Sequence, residues 1–343
     1  MKFIKPEKLN TGDTIGVISP SAGLAKLFPH RVSSAEKALK ELGYKIKFAT
    51  HSLESQDYVS SSIENRVDDI HEMFRDNEVK LIMCAIGGNH SNQLIKHLDY
   101  KLIRDNPKIF IGYSDITVLH WAIITKAHLM TFYGPCLITE FGEHPQPYKY
   151  TVDYFKKALC QNTPIGIIQP SNKWTDELLD WGGKKDLERP RRMKVSAGYQ
   201  WWREGEVSGN IFGGCVSSIN HLAGTEYWID SKDKILFIDL PEGEYPGTPL
   251  ALSKVDSYLA DLDNLNIFKN IKGLIIGRPY TYKKIDENKL KKIINAYTAN
   301  YKYPILYNAN IGHTSPIATI PMNSMVHLKS SDNIFEILEG GVI

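Results

Sequence analysis

Ser114 stands in "IFIGYSDITVLHWAIITKA", residues 109–127, where an apolar strand-like run passes into a helix-like one. A serine at that junction has two readings. It is a good helix N-cap, because its oxygen accepts from the unpartnered N–H groups of the first turn. It is also the residue type of a nucleophile held on a tight strand-to-helix turn, beside backbone N–H groups able to hold an oxyanion. A serine nucleophile needs a base for its proton, an acid to orient that base, and donors for the tetrahedral oxygen. Of eleven histidines, His313 in "NANIGHTSPIATIP" is set apart: a strand-like run ends in Gly-His-Thr, and Pro316 prevents simple continuation. The acid is sought in "KILFIDLPEGEYPG", where Asp239 ends a buried-looking strand while Glu242 and Glu244 fall in a turn-like segment. Asp239 is the choice and Glu242 the alternative. Candidate oxyanion donors are the N–H of Asp115, directly after Ser114, and that of Gly88 in "AIGGNHSN", where a double glycine lets the backbone approach a ligand.

Other chemistries find less support. "GGNHSN" lacks the Lys-Ser/Thr ending of a phosphate loop, and His90 and His97 have no acidic set nearby to complete a metal site. Cys215 and His221, six apart, read as packing residues. No cofactor and no metal are expected. With 41 Lys and Arg against 39 Asp and Glu, the formal net charge is +2, so nothing calls for nucleic acid. "LERPRRMK" at 187–194 is read as a solvated loop. Cys84, Cys136, Cys160 and Cys215 form no C-x-x-C pair, which suits a reduced compartment. The N-terminal residues lack the apolar core of a signal peptide, and no stretch reaches the length of a membrane span. A cytoplasmic protein is expected, with no membrane partner.

The elements that must position these residues alternate. "TIGVISP", "KIKFAT", "KLIMCAIGG" and "KIFIGYSD" read as strands, separated by helical patterns such as "SIENRVDDIHEMFRDNEV", with apolar residues at 63, 67, 70, 73 and 74, and a helix from about Asn92. This is an α/β pattern with a parallel sheet, whose ligands belong at the carboxyl ends of the strands. At 343 residues the chain calls for two domains. We expect an N-terminal α/β domain over 1–165, a linker and aromatic loop over 166–205, and a second domain over 206–343 with strands at "GEVSGNIFGG", "KILFIDLP", "IKGLIIGRP" and "YPILYNAN".

Taken in order, "PSAG", "AIGGNHSNQLIKHLD", "KIFIGYSDITVLHWA", "GNIFGGCVSSINHLAGTEYW", "KILFIDLPE", "GLIIGRPY" and "GHTSPIATIP" resemble the LD-carboxypeptidase family of serine peptidases. Within it the nearest resemblance is to the microcin C immunity peptidase branch. The resemblance implies a flavodoxin-like N-terminal domain and a β-rich C-terminal domain carrying the acid and the histidine of a Ser-His-Glu triad. Motif by motif, the nucleophile falls on Ser114 and the base on His313, while the family's Glu falls on Asp239, one methylene shorter. The resemblance also implies a metal-free homodimer. Gly87, Asn89, Trp174, Trp181 and Arg278 are the expected substrate-binding residues. Trp174 and Trp181, seven apart in "NKWTDELLDWGG", either cover the interdomain groove or expose an indole able to stack on a flat base, and Trp174 is the closer candidate by position. The expected activity is amide hydrolysis of aminoacyl or peptidyl nucleotide conjugates. Trimming of muropeptide tetrapeptides is the alternative, and a non-catalytic small-molecule binder the alternative of another class.

Overall fold

Runs such as "TIGVI" and "KLIMC" are apolar without alternation because the sheet they build is covered by helices on both faces. In the computed structural model, which describes residues 3–343, β1 (Thr14–Ile18) lies between β2 (Lys45–Phe48) and β3 (Val79–Cys84). Strands β4 (Ile109–Gly112) and β5 (Phe132–Tyr133) continue the sheet, all pairs parallel. The order 2-1-3-4-5 is that of a flavodoxin-like fold. Helix Ile63–Arg75 follows the expected spacing: Val67, Ile70, Met73 and Phe74 are buried, and the Ser62 side chain caps it by accepting from Asn65 N–H.

The C-terminal sheet starts in the stretch expected to be linker. Strand β6 (Gly166–Ile167) forms one edge and β9 (Gln200–Arg203) the other, with a separate ribbon of β7 (Lys173–Trp174) and β8 (Lys194–Val195) between them in sequence. The centre is parallel: β10 (Glu206–Cys215), β11 (Ile235–Asp239), β12 (Gly273–Gly277) and β13 (Ile305–Ala309). Strand β14 (Ile320–Pro321) leaves this sheet and pairs antiparallel with β5, so the chain returns to the N-terminal half just after His313. Then β15 (Met325–Lys329) and β16 (Ile334–Ile337) complete the sheet, in the order 6-16-15-10-11-12-13-9.

Helix Thr117–Ala127 has almost no polar face, because it is packed between the two halves. Trp121 Nε1 donates to Gly213 O at 2.8 Å, and Cys215 N–H donates to Thr117 Oγ1 at 3.0 Å. The helix expected from about Asn92 is instead a short turn at Ser91–Gln93 followed by helix Tyr100–Asp105. Among the described residues no helix is long and apolar enough to cross a membrane. The carboxyl ends of β3, β4, β11 and β13 lead into segments that bring Gly87, Ser114, Asp239 and His313 together, three of them on the wall of one cavity.

Candidate active site

The turn after β4 holds Ser114 at φ 65°. This is the left-handed region, which costs a non-glycine residue roughly 1–3 kcal/mol and persists only where the surroundings enforce it. The hydroxyl caps no helix, since Ile116 stands at the N-cap of helix Thr117–Ala127. Instead Ser114 Oγ lies 2.9 Å from His313 Nε2.

The other imidazole nitrogen, His313 Nδ1, is 2.8 Å from Asp239 Oδ2. Asp239 is fully buried at the end of β11, and its Oδ1 accepts from His313 N–H at 3.3 Å. The loop closes on that carboxylate at Gly312, where φ is 94° and a Cβ would stand 1.8 Å from Asp239 Oδ1. Only glycine fits there. Burial works against a charged His313, but the Asp239 carboxylate beside it, with Glu242 and Glu140 further off, holds its pKa above the ordinary histidine value. Glu242 is exposed on the rim of the cavity, in a bridge to Pro249, and does not take the place beside Nδ1.

Gly87 faces Ser114. A Cβ there would stand 2.9 Å from Ser114 Cβ, 3.1 Å from Oγ and 3.3 Å from Asp115 N, so a side chain would occupy the space in front of the hydroxyl. Among the described residues neither Gly88 N–H nor Asp115 N–H donates to a protein acceptor. The Asp115 side chain faces inward: Oδ2 accepts from Ser21 Oγ at 2.7 Å and from His90 N–H and Ser91 N–H, both at 2.9 Å. One carboxylate thereby ties the "PSAG" and "GGNHSN" loops to the Ser114 turn. These bonds also account for the turn at 91–93 where a helix was expected.

The cavity has a volume of about 710 Å³ and is lined by Ser114, His313, Gly87, Gly88, Asn89 and Trp181, among others. Trp181 is held by Arg31, whose guanidinium lies 4.2 Å from the indole centroid, and by the edge of Phe28 at 5.3 Å. Arg31 is in turn bonded to Ile138 O, Thr139 O and Asp186. Trp174 and Arg278, expected at the substrate site, do not line this cavity. The Arg278 guanidinium lies 4.8 Å from the Trp174 ring and donates to Asn308 and Ser196. Burial pushes the pKa of Arg278 down to about 10. Sequence position favoured Trp174 because nothing in a polar loop marks which indole turns inward.

The stretch "LERPRRMK" is likewise not simply solvated. Arg191 lines the cavity, forks onto Glu143 at 2.5 and 3.2 Å, and donates to Ser315 Oγ at 2.7 Å. Arg189 forks onto Glu177 and holds that carboxyl down at about 2. Sequence reasoning missed Arg31, Arg191, Ser21 and Tyr133; Ser21 alone had a signal, since "PSAG" follows a strand end. A hydroxyl poised on an imidazole, a carboxylate behind it and unpaired backbone N–H groups on the adjoining turns are the parts that can deliver a nucleophile to a carbonyl carbon and hold an oxyanion.

Two family models match the chain, that of the LD-carboxypeptidase N-terminal domain over residues 15–134 and that of the C-terminal domain over residues 208–328. The putative carboxypeptidase YocD of Bacillus subtilis is 35% identical over 325 residues, 94% of this chain and 95% of that protein. The microcin C7 self-immunity protein MccF of Escherichia coli is 29% identical over 317 residues, 92% of this chain and 90% of that protein. An apo structure of MccF superposes with a TM-score of 0.90 at 27% identity, over 99% of this chain and 100% of that one. The structure of an MccF-like protein from Bacillus anthracis gives 0.88 at 40% identity, over 98% and 99%. Matched in both halves and over nearly its whole length, the chain belongs to the LD-carboxypeptidase family of serine peptidases.

Proposed function

We propose that the chain is an amide hydrolase in which Ser114 is the nucleophile, His313 the base and Asp239 the orienting acid. The observation that carries this reading is the relay from Ser114 Oγ to His313 Nε2, 2.9 Å, and from Nδ1 to Asp239 Oδ2, 2.8 Å, at the floor of a ligand-sized cavity. Oγ attacks the carbonyl carbon as its proton passes to Nε2, and the carbonyl oxygen takes up negative charge against the N–H groups of Gly88 and Asp115. Collapse breaks the C–N bond, and the leaving nitrogen takes the proton from Nε2. Water, deprotonated by the same nitrogen, then releases the acyl group. Asp239 is preferred to Glu242 because only it touches the imidazole. In this reading residues 1–165 supply the nucleophile, 206–343 the acid and base, and 166–205 the substrate wall, in a homodimer.

Aminoacyl or peptidyl nucleotide conjugates are the proposed substrates. Support comes from Trp181, a flat aromatic wall in the same cavity, and from MccF, whose structures include complexes with glutamyl sulfamoyl guanosine and aspartyl sulfamoyl adenosine. A fluorophosphonate label tests the chemistry: stoichiometric labelling that Ser114→Ala abolishes is expected, and no labelling across several pH values favours a binding protein. Incubation with an aminoacyl-sulfamoyl adenylate and with a muropeptide tetrapeptide, followed by mass spectrometry, tests the substrate. Release of the D-amino acid alone would move the role to cell-wall trimming.

A further inference from the structure

Tyr133 ends β5, is buried to 1% exposure, and is fixed by backbone pairing with Ile320 of β14. Its ring lies against Phe237 at 5.0 Å, His120 at 6.0 Å and Tyr113 at 6.3 Å. A phenol has one proton to give and lone pairs to accept with. Here Tyr133 OH donates to Asp239 Oδ2 at 2.6 Å and accepts from Ser114 N–H at 3.1 Å. Burial, then the charge of Asp239, hold the phenol well above its ordinary pKa, so the proton stays on Tyr133. The oxygen it donates to is the one that faces His313 Nδ1.

We propose that Tyr133 is a positioning residue whose single hydroxyl keeps the backbone of Ser114 and the carboxylate of Asp239 in one fixed relation. The inference rests on the hydrolase reading above. Ser114 belongs to the N-terminal sheet and Asp239 to the C-terminal one, so this hydroxyl joins the two halves at the site itself. It gives the strained Ser114 backbone an acceptor, and it fixes a carboxylate that is one methylene shorter than the glutamate the resemblance implies. It also shares the negative charge of Oδ2 with the imidazole. The groups facing His313 are Asp239, Glu242, Glu140 and the Tyr113 ring at 5.1 Å; those facing Tyr133 are Asp239, Cys215 and the rings of His120 and Tyr113.

Tyr133→Phe keeps the ring and removes only the hydroxyl. The left-over Ser114 N–H loosens the nucleophile, which should lower kcat by about ten- to a hundredfold with KM within about twofold. The undivided charge on Asp239 should stabilise the imidazolium, moving the acidic limb of kcat/KM upward by about half a pH unit or more. Fluorophosphonate inactivation rates give the same two readouts without a natural substrate, and in an Asp239→Asn background the limb should no longer respond to loss of the hydroxyl. A rate within twofold of wild type, or a rate loss with an unmoved limb, overturns the inference while Ser114-dependent labelling of the wild type leaves the hydrolase reading intact. A wild type that does not label overturns both. Should Tyr133→Phe fail to fold, 3-fluorotyrosine placed at position 133 decides: a more acidic phenol donates more strongly to Asp239 Oδ2 and should move the limb downward, and an unmoved limb overturns the inference.

Discussion

The turn that carries Ser114 and the loop that carries Trp181 face one cavity but are held by different forces. Around Ser114 the supports are short and local: strand β4, helix Thr117–Ala127, a left-handed backbone and buried bonds to Tyr133 and through Asp115. The 166–205 stretch is held on its cavity side largely by long side chains reaching across, as in Arg31 to Asp186 and Arg191 to Glu143. Backbone supports give a fixed geometry, which chemistry requires; side-chain pairs give a wall whose shape depends on a few replaceable contacts. The contrast predicts that damage near the turn appears in kcat and damage to the loop in KM or stability.

The largest effects belong to the turn. Ser114→Ala and His313→Ala should each lower kcat by about ten-thousandfold or more, because members of such a relay act as a unit, while thermal melts stay close to wild type. His313→Ala retaining a tenth of the wild-type rate would remove it as base. Next comes Gly87→Ala, whose methyl would occupy the space in front of Ser114 Oγ and Asp115 N. Loss of oxyanion stabilisation is worth about a hundred- to a thousandfold in kcat. A variant with normal turnover would place the oxyanion elsewhere.

On the loop side, Arg191→Met should leave the buried Glu143 without its partner and lower unfolding free energy by about 3 kcal/mol, the lower end for a broken buried pair, because Arg191 keeps 18% side-chain exposure. Urea unfolding measures this. Trp181→Ala should raise KM for an aminoacyl-sulfamoyl adenylate by about tenfold, as expected for a lost stacking face, with little change for a substrate lacking a base. Trp174→Ala should do neither; equal losses for both tryptophans would make them supports of the fold.

The smallest effect is a shift along the pH axis. As the proposed base His313 must be neutral to accept a proton, and its pKa is held above the ordinary histidine value of 6.5, so kcat/KM should fall as pH drops through a limb above 6.5. Asp239→Asn should move that limb downward. Glu177 stays ionised far below it, so KM for the base-bearing substrate should hold steady where kcat is already falling. Parallel changes in both would break the contrast between turn and loop.

The alternation of apolar runs and amphipathic helices, the serine at a strand-to-helix junction and the Gly-His after a strand were legible in the chain, because period and turn chemistry are local properties of the backbone. So was Asp239 at the end of "KILFID". What only the tertiary structure decided were the relations across more than a hundred residues. Tyr133 meets Asp239, Arg31 meets Asp186, and the stretch 166–205 supplies both edges of a sheet. The choice between Trp174 and Trp181 was of the same kind. Local pattern says which face of an element is apolar, but which polar side chains meet is set by how the two sheets pack, and no spacing along the chain encodes that.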